Sequence, residues 1–302
     1  MQLRELNTER RNPKTEHLDE MSALEIVTTM NQEDAGVPRA IRRALPQIAQ
    51  AVEVVVERLR AGGRLFYVGA GTSGRIGALD ASECAPTFGI PQNTVQCVIA
   101  GGEKALVRAT ESSEDSADQG RIDIAARKVG KKDVVVGIAA SGYTPYTIGA
   151  LKYARSKGAA AIAVACNGGS ELASVAQISI EVDVGPEVLT GSSRLKAGTA
   201  QKMICNMIST AAMAKLGYVY SNLMINMRLK NRKLRQRGLF ILETLAEVDR
   251  ETALQALERA NMDLSVALVM LKSNVSRAQA ARLLRDAHGN VRKASSKVRA
   301  TR

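Results

Sequence analysis

Aromatic side chains are scarce in this sequence of 302 residues. Tryptophan is absent, and phenylalanine and tyrosine together make up only 3% of the chain. Proteins that hold single-stranded nucleic acid stack its bases on aromatic rings, so the composition argues against that role. The net charge of +12 is the feature that favours a polyanionic partner. We therefore expect no nucleic-acid partner, and binding through charge alone stays open as an alternative.

Cysteine and histidine are also rare. The two histidines, His17 and His288, lie near opposite ends of the chain, which argues against a His-ligated metal and against a Ser-His-Asp triad. The four cysteines form no CxxC pair, so the sequence predicts neither a zinc site nor a disulfide framework. We interpret all four as buried thiols: Cys84, Cys97, Cys166 and Cys205. Acid–base chemistry must then fall mainly to carboxylates.

Long apolar runs are missing. No stretch approaches the roughly 18 apolar residues that a membrane-spanning helix needs. The first segment, MQLRELNTERRNP, carries charges where a secretory signal peptide has its apolar part. We expect a cytoplasmic protein without a membrane partner.

Short β-branched or apolar runs alternate with helical stretches in the middle of the chain. The runs are Leu65–Val68, Val95–Ala100, Val134–Ile138, Ala160–Ala165 and Ile178–Val182. This alternation predicts an α/β fold with three layers, in which helices cover both faces of a parallel sheet. Ligands of such sheets bind beyond the carboxyl ends of the strands.

Helical periodicity flanks this region on both sides, and it predicts three parts. Residues 1–62 form an N-terminal helical segment that packs on the core, residues 63–220 form the α/β ligand-binding domain, and residues 221–302 form a small basic helical domain. The last part holds 17 Lys and Arg against 7 Asp and Glu, and so carries most of the net charge. An internal repeat at one constant offset predicts two helix–turn–helix units there.

A run of glycine, serine and threonine follows the first predicted strand. Residues 69–77 read GAGTSGRIG, in which glycines let backbone N–H groups turn toward an anion and the next helix offers its positive end. The candidate substrate-binding residues are Gly71, Thr72, Ser73, Gly74 and Arg75. The run also matches the GxGxxG pattern of dinucleotide sites. That alternative needs an acidic residue at the end of the next strand, where Gly101 and Gly102 stand instead.

Two further loops carry the same residue types. Residues 139–145 read AASGYTP after the third predicted strand, and residues 186–200 read PEVLTGSSRLKAGTA before a long helix. Any single loop could be a turn with a helix cap, but three together favour one shared phosphate site. The candidate substrate-binding residues in these loops are Ser141, Gly142, Thr144, Glu187, Ser192, Ser193, Arg194 and Lys196.

Two glutamates near these loops are candidates for acid–base chemistry. Glu83 stands in a mostly apolar stretch, where partial burial would raise the pKa of its carboxyl and keep it protonated; a structural ion pair is the alternative. Glu114 lies in an acidic cluster with Glu111, Asp115 and Asp118. Like charges would raise the pKa of Glu114, whereas the first turn of a helix would lower it, so the direction stays open. A solvated helix start is the simpler interpretation of this cluster.

Together these motifs resemble those of the N-acetylmuramic acid 6-phosphate etherases, a family with the sugar-isomerase (SIS) fold. The resemblance spans nearly the whole chain and includes GAGTSGR at 69–75, DASEC at 80–84 and GSSRLKAGTAQK at 191–202. It implies that water splits the ether between C3 of the sugar and D-lactate, leaving N-acetylglucosamine 6-phosphate, with no cofactor and no metal. It also implies a homodimer that acts in amino-sugar catabolism and peptidoglycan recycling.

The family's catalytic roles transfer by position to two residues of this sequence. The resemblance implies that Glu83 donates a proton to the leaving lactate and that Glu114 removes the proton from C2. The substrate carries two anions, its phosphate and the lactyl carboxylate, which gives a reason for Arg75, Arg194 and Lys196 in the site.

One position departs from the family pattern. Tyr143 stands where the family usually has arginine, so an anion contact made by that arginine is lost or replaced by a phenol. A regulator that binds sugar phosphates without turnover is the alternative function, because the glucokinase regulatory protein shares the fold and related motifs. The presence of both Glu83 and Glu114 favours the enzyme.

Overall fold

A computed structural model of the chain divides into two compact units. The structure describes residues 6–108, 113–229 and 231–299. The first unit contains Met1–Ser82 and Gln92–Thr210, and the second contains Glu83–Pro91 and Ala211–Arg302. Residue contacts thus join the N-terminal helices to the α/β region and end the first unit at Thr210. The division at 62 and 220 stays a prediction about sequence segments.

A parallel sheet forms the centre of the first unit. Over the described residues its strands are β1 (Leu65–Gly69), β2 (Val95–Ile99), β3 (Val134–Ala139), β4 (Ala160–Ala165) and β5 (Ile178–Glu181). The strand order is β2-β1-β3-β4-β5, and each neighbouring pair is parallel. Each strand begins at its predicted residue and ends within one residue of its predicted end. The predicted α/β fold is confirmed.

Helices cover both faces of this sheet. Those that begin in the first unit are α1 (Ala23–Asp34), α2 (Val37–Arg42), α3 (Leu45–Arg60), α4 (Gly71–Phe88), α5 (Ala117–Ala126), α6 (Pro145–Ser156), α7 (Glu171–Val175) and α8 (Lys196–Leu216). On one face, Phe66 of β1 packs in a cluster with Ile124 of α5 and Leu151 of α6. On the other face, the Tyr67 hydroxyl donates a 2.8 Å hydrogen bond to Asp80 of α4. Alternate residues of β1 therefore serve opposite layers.

The apolar character of the central strands follows from this layering. Strands β3 and β4 read VVVGIA and AAIAVA and are buried along their whole length. A parallel strand that is covered on both faces has no solvent side and therefore shows no polar alternation.

The N-terminal helices differ in how they are buried. Helix α3 places Val52, Val55 and Val56 in the core and packs on the sheet. Helix α1 begins with a capping box between Ser22 and Glu25 but has no buried residue in the single chain. Two of its apolar side chains are open to solvent, Leu24 at 74% and Val27 at 57% of full exposure.

The second unit is helical. Its remaining helices are α9 (Arg232–Ala246), α10 (Arg250–Arg259), α11 (Leu264–Ser273), α12 (Arg277–Asp286) and α13 (Val291–Arg299). Their buried faces form one apolar cluster that contains Leu242, Leu257, Leu268 and Ala294. Across the described ranges, no helix has both the length and the apolar character needed to cross a membrane.

The helix pair α10–α11 repeats in α12–α13. The N-cap residues Asp249 and Asp263 of the first pair correspond to Ser276 and Asn290 of the second, and each accepts a hydrogen bond from the amide three residues later. Both turns contain two consecutive residues at positive φ. These residues are Asn261, Met262, His288 and Gly289. The two helix–turn–helix units predicted from the internal repeat are confirmed.

Three of the four cysteines are buried, as predicted, whereas Cys97 is half-buried. All four are free thiols. Burial, with the nearby carboxylate of Glu187, raises the pKa of Cys166 to about 12. This thiol therefore stays protonated at neutral pH.

Candidate active site

An open cleft of about 390 Å³ lies at the carboxyl ends of β1 and β3. It is formed entirely by the first unit, which agrees with the expected location beyond the strand ends. Of the residues singled out in the sequence, the cleft brings together Gly71, Thr72, Ser73, Glu114, Ser141, Tyr143, Thr144 and Ser193.

The first turn of α4 forms one wall. Strand β1 ends at Gly69 and the helix begins at Gly71, so Thr72 and Ser73 stand at its N-terminus and line the cleft. The first N–H groups of a helix have no acceptor within it, and the helix dipole makes this end positive. With two hydroxyls beside these N–H groups, the wall is suited to an anion such as phosphate.

Two predicted ligand contacts in the same run have another role in the single chain. Gly74 is buried and does not line the cleft; a β-carbon on it would lie 2.6 Å from Cγ1 of Ile99 and 2.8 Å from the carbonyl oxygen of Gly69. Glycine is therefore required there for α4 to pack on the strands. The Arg75 guanidinium donates a 3.0 Å hydrogen bond to the carbonyl oxygen of Arg108 and is also absent from the lining.

The loop between β3 and α6 forms the opposite wall. Gly142 has φ of 79°, and a β-carbon on it would lie 2.3 Å from Cβ of Ser170, so only glycine fits. Ser141 accepts a 3.2 Å hydrogen bond from the amide of Tyr143. The Tyr143 hydroxyl donates weakly to the carbonyl oxygen of Gly169 at 3.4 Å. The Tyr143 phenol therefore contacts the loop between β4 and α7.

The loop before α8 contributes less to the cleft than its sequence suggests. Ser193 lines the cleft, whereas Ser192, Arg194, Glu187 and Lys196 do not. Glu187 is fully buried and caps α8. Its carboxylate accepts hydrogen bonds of 2.9 Å from the amides of Lys196 and Ala197. Burial nevertheless raises the pKa of Glu187.

Lys196 is held by a buried ion pair. Its Nζ donates a 2.7 Å hydrogen bond to Glu33 of α1, which also accepts from Lys14 at 2.8 Å and from Asn12 at 3.0 Å. Burial by itself would raise the pKa of Glu33, but these hydrogen bonds and the charge of Lys196 outweigh burial and lower the pKa to about 2. In the single chain Lys196 thus has a structural contact, and its anion-binding role stays a prediction.

The two candidate catalytic glutamates are in different situations. Glu114 is half-buried and lines the cleft, and its carbonyl oxygen accepts a 3.0 Å hydrogen bond from the amide of Tyr146 in the first turn of α6. Glu83 lies on α4 outside the lining and is exposed. The partial burial expected for Glu83 is therefore not found in the single chain. Glu111 lies outside the described residues.

The charges around the cleft are acidic. Its described lining contains the carboxylates of Glu9, Glu114 and Asp115 and no lysine or arginine. In the single chain, an anion at this site would be bound by N–H groups and hydroxyls alone. The described parts of the chain also hold no group of three or more His, Cys, Asp and Glu side chains that could coordinate a metal ion.

Sequence reasoning missed the wall formed by the N-terminal segment. Leu6 and Glu9 line the cleft, and Asn167 holds the short 3-10 turn Asn7–Glu9 through its side-chain amide. A turn of three residues has no hydrophobic period by which it could be recognised. A polar segment without periodicity was the available signal, and it is equally typical of a loop.

Comparison with known families identifies the class of protein. The family model of the SIS domain matches residues 117–211, and that of the glucokinase regulatory protein N-terminal SIS domain matches residues 47–155. A solved structure from Bacteroides fragilis, described as a candidate phosphosugar isomerase involved in capsule formation, has a TM-score of 0.50 and 20% identity. It covers 64% of this chain and 91% of its own. The fold and the loop-lined cleft define an SIS-domain protein.

Curated relatives then identify the family. N-acetylmuramic acid 6-phosphate etherases from Actinobacillus pleuropneumoniae and Rubrobacter xylanophilus are 49% and 51% identical to this chain over 292 residues, which is 97% of this chain and 96% of each relative. The etherase from Klebsiella aerogenes is 49% identical over 294 residues, or 97% of this chain and 98% of the relative. The chain belongs to the N-acetylmuramic acid 6-phosphate etherase family. The resemblance found in the sequence motifs is confirmed.

Proposed function

We propose that the protein is a carbon–oxygen lyase that cleaves the D-lactyl ether of N-acetylmuramic acid 6-phosphate with water. Its products are N-acetylglucosamine 6-phosphate and D-lactate, and it acts in amino-sugar catabolism and peptidoglycan recycling. The observation that carries the proposal is one cleft that is lined both by the N-terminus of α4 and by Glu114. Family membership at about half identity over nearly the whole chain supports this substrate.

The substrate is bound through its phosphate at the first turn of α4. Thr72 and Ser73 donate hydroxyl hydrogen bonds there, beside the free amides of the helix start. Ser141, Thr144 and Ser193 add donors from the other walls of the cleft. Holding one end of an extended open-chain sugar fixes where its C2 and C3 lie, which lowers the entropic cost of the reaction.

The reaction is an elimination followed by a hydration. Glu114 takes the C2 proton, which the C1 aldehyde of the open sugar acidifies, and the electron pair moves toward the aldehyde oxygen as an enolate. The enolate then forms the C2–C3 double bond and expels the lactyl oxygen, which takes a proton from Glu83. Water adds to C3 of the unsaturated aldehyde, and a proton returns to C2. Backbone N–H groups that face the aldehyde oxygen would stabilise the enolate.

The role of Glu83 rests on the family resemblance. A proton donor must lie within reach of the lactyl oxygen, and the exposed side chain of Glu83 lies outside the cleft lining of the single chain. A donor needs a drier environment to remain protonated near neutral pH. We propose that a second copy of the chain supplies that environment.

The protein is accordingly proposed to be a homodimer. Helix α1 supports this because it has no buried residue, while Leu24 and Val27 are mostly exposed. Apolar side chains grouped on one helix are typical of a surface that a partner covers. The described cleft lining also contains no lysine or arginine. We propose that cations from outside this lining complete the site, and Arg75 and Arg194 are the candidates.

The expected location is the cytoplasm. A sugar phosphate is a multiply charged anion that does not cross a bilayer unaided, so an enzyme that consumes it works where the phosphate ester is formed. No nucleic-acid partner is expected, because aromatic residues make up only 3% of the chain.

Release of D-lactate tests the function. Purified protein, treated with a chelator and supplied with N-acetylmuramic acid 6-phosphate alone, should release one D-lactate for each N-acetylglucosamine 6-phosphate formed. A folded protein that binds the sugar phosphate and releases no lactate would overturn the proposal in favour of the regulator. The presence of Glu114 in the phosphate-binding cleft favours the enzyme over that alternative.

A further inference from the structure

The N-terminal strap, defined as residues 6–16, closes one side of the cleft. It consists mainly of two short 3-10 turns, Asn7–Glu9 and Pro13–Thr15. Leu6 and Thr8 are buried, so the strap is a packed part of the first unit. Leu6 and Glu9 are among the residues that line the cleft.

Asn167 anchors this strap to the strand ends. Its Oδ1 accepts a 2.8 Å hydrogen bond from the amide of Asn7, and its Nδ2 donates at 3.1 Å to the hydroxyl of Thr8. The same Nδ2 also donates to the carbonyl oxygens of Ala140 and Ser141 at 3.2 and 3.3 Å. Asn167 is only 3% exposed. One buried amide therefore ties the turn that contains Glu9 to the loop after β3.

Two other polar side chains of the strap, those of Asn7 and Asn12, have partners. Asn7 donates to Asp183 at 2.7 Å, and Asn12 donates to Glu33 and to the carbonyl oxygen of Pro186. The backbone amide of Glu9 donates a 2.9 Å hydrogen bond to the carbonyl oxygen of Leu6. Among the described residues, its carboxylate has no hydrogen bond or ion pair, although Glu9 is half-buried at the cleft wall.

The Glu9 carboxylate lies near the loop before α8. Its Oε2 would lie 3.3 Å from a β-carbon placed on Gly191, and Ser193 of that loop lines the same cleft. A carboxylate accepts hydrogen bonds and repels anions. Its counterpart on a phosphorylated amino sugar is therefore a hydroxyl or amide N–H group, away from the phosphate bound at α4.

We propose that Glu9 is a substrate-contacting residue that accepts hydrogen bonds from a hydroxyl or amide group of the sugar, and that Asn167 positions it. This inference rests on the etherase function proposed above. The phosphate at α4 and the polar group at Glu9 then hold the sugar at two points, which fixes its carbon chain relative to Glu114. A contact of this kind is present in both the substrate and the product.

The test compares Glu9→Ala and Glu9→Gln with Glu16→Ala, a matched control whose side chain is exposed and outside the cleft. Loss of a hydrogen bond to a charged acceptor costs roughly a factor of 10 or more in binding. Glu9→Ala should raise KM about 10-fold while kcat changes less than about 3-fold. Calorimetry should show the same loss of affinity for N-acetylglucosamine 6-phosphate, with a smaller loss for Glu9→Gln and none for Glu16→Ala.

Product affinity and KM of Glu9→Ala within twofold of the wild type would overturn the inference. A lower melting temperature with unchanged product affinity would also overturn it, because Glu9 would then be structural only. Product binding is measured without turnover, so the result is separate from the lactate assay. A wild-type protein that releases no lactate rejects the etherase, whereas normal binding by Glu9→Ala rejects the contact.

Asn167→Ala tests the positioning role, with Thr8→Val as the milder variant if the first does not fold. Hydrogen exchange at the amides of Asn7 and Thr8 should become at least about 10-fold faster, and KM should rise as it does for Glu9→Ala. Both changes remove the same substrate contact. The KM of the double variant Glu9→Ala/Asn167→Ala should therefore rise by less than the product of the two single increases. Full multiplication of the two effects would reject the coupling.

Discussion

Glu114, the proposed base, and Glu83, the proposed acid, lie in different surroundings in the single chain. Glu114 is half-buried in a cleft that already contains a helix N-terminus, and its backbone is tied to the first turn of α6. Glu83 is exposed on α4. The base is thus supported by the geometry of the cleft, whereas the acid is supported by family resemblance.

Isotope exchange separates the two roles. We expect Glu83→Gln and Glu114→Gln each to lower the rate of D-lactate release by about 10²-fold or more. Glu83→Gln should still exchange the C2 proton with deuterated solvent, because removal of that proton precedes departure of lactate. Glu114→Gln should lose exchange as well. Nuclear magnetic resonance of the substrate measures this, and the opposite pattern would reverse the assignment.

Gly142 shows how strongly one backbone conformation shapes the cleft. Gly142→Ala would place a methyl group 2.3 Å from Cβ of Ser170 at φ of 79°. We expect a loss of about 2–4 kcal/mol in the free energy of unfolding, from steric overlap and positive-φ strain. Gly168→Ala is the control, because its β-carbon meets nothing within 4 Å. Equal unfolding midpoints in urea for the two variants would contradict this account.

Among the structural elements, α1 and α8 are joined through charge. Glu33 near the end of α1 holds Lys196 at the start of α8, and Lys196 is almost fully buried. Glu187 satisfies the first amides of α8 from the side. Lys196 and Glu187 therefore stabilise the N-terminus of α8 and do not line the cleft in the single chain.

The Glu33 ion pair should make stability depend on acid pH. The pKa of Glu33 falls from 4.5 to about 2 on folding, so its contribution is complete above about pH 4.5 and is lost as the pH falls toward 2. Glu33→Gln should lower the free energy of unfolding by about 2–3 kcal/mol at pH 7. The difference from wild type should shrink between pH 4.5 and pH 3 in urea titrations. A stability difference that does not change with pH would contradict this account of the Glu33 ion pair. Asp19→Asn, a change at an exposed residue, is the control and should have no effect on stability.

In the described part of the single chain, helix α1 leaves Leu24 and Val27 mostly exposed. If a second copy covers α1, light scattering after size exclusion should give a mass near twice the chain mass of 32.3 kDa. Leu24→Glu combined with Val27→Glu should shift the mass toward a monomer, because burying two charges in an apolar interface is costly. Glu16→Gln, a change at an exposed residue of the N-terminal strap, should leave the mass unchanged. A monomeric wild type would reject the dimer.

The fold could be predicted from this sequence because neighbouring residues in the chain indicate where its strands and loops lie. Strand β4, for example, is an unbroken run of small and branched residues between polar turns, and the structure begins and ends it at the predicted residues. The internal repeat likewise predicted two helix–turn–helix units, because mainly apolar residues recur at one constant offset. The candidate site was predicted less completely. The N-terminus of α4 and Ser141 were recognisable, whereas Glu9 was not.

What the sequence by itself determined is the alternation of strands and helices along the chain, the loop of Gly71, Thr72 and Ser73 that lines the cleft, and the family to which the chain belongs. These are patterns of neighbouring residues, and chirality and hydrogen bonding convert them into local structure directly. Only the tertiary structure decided that Lys196 pairs with Glu33, that Glu187 caps α8, and that Glu9 lines the cleft. Such contacts join residues far apart in the chain, and their partners depend on how packing brings the elements together.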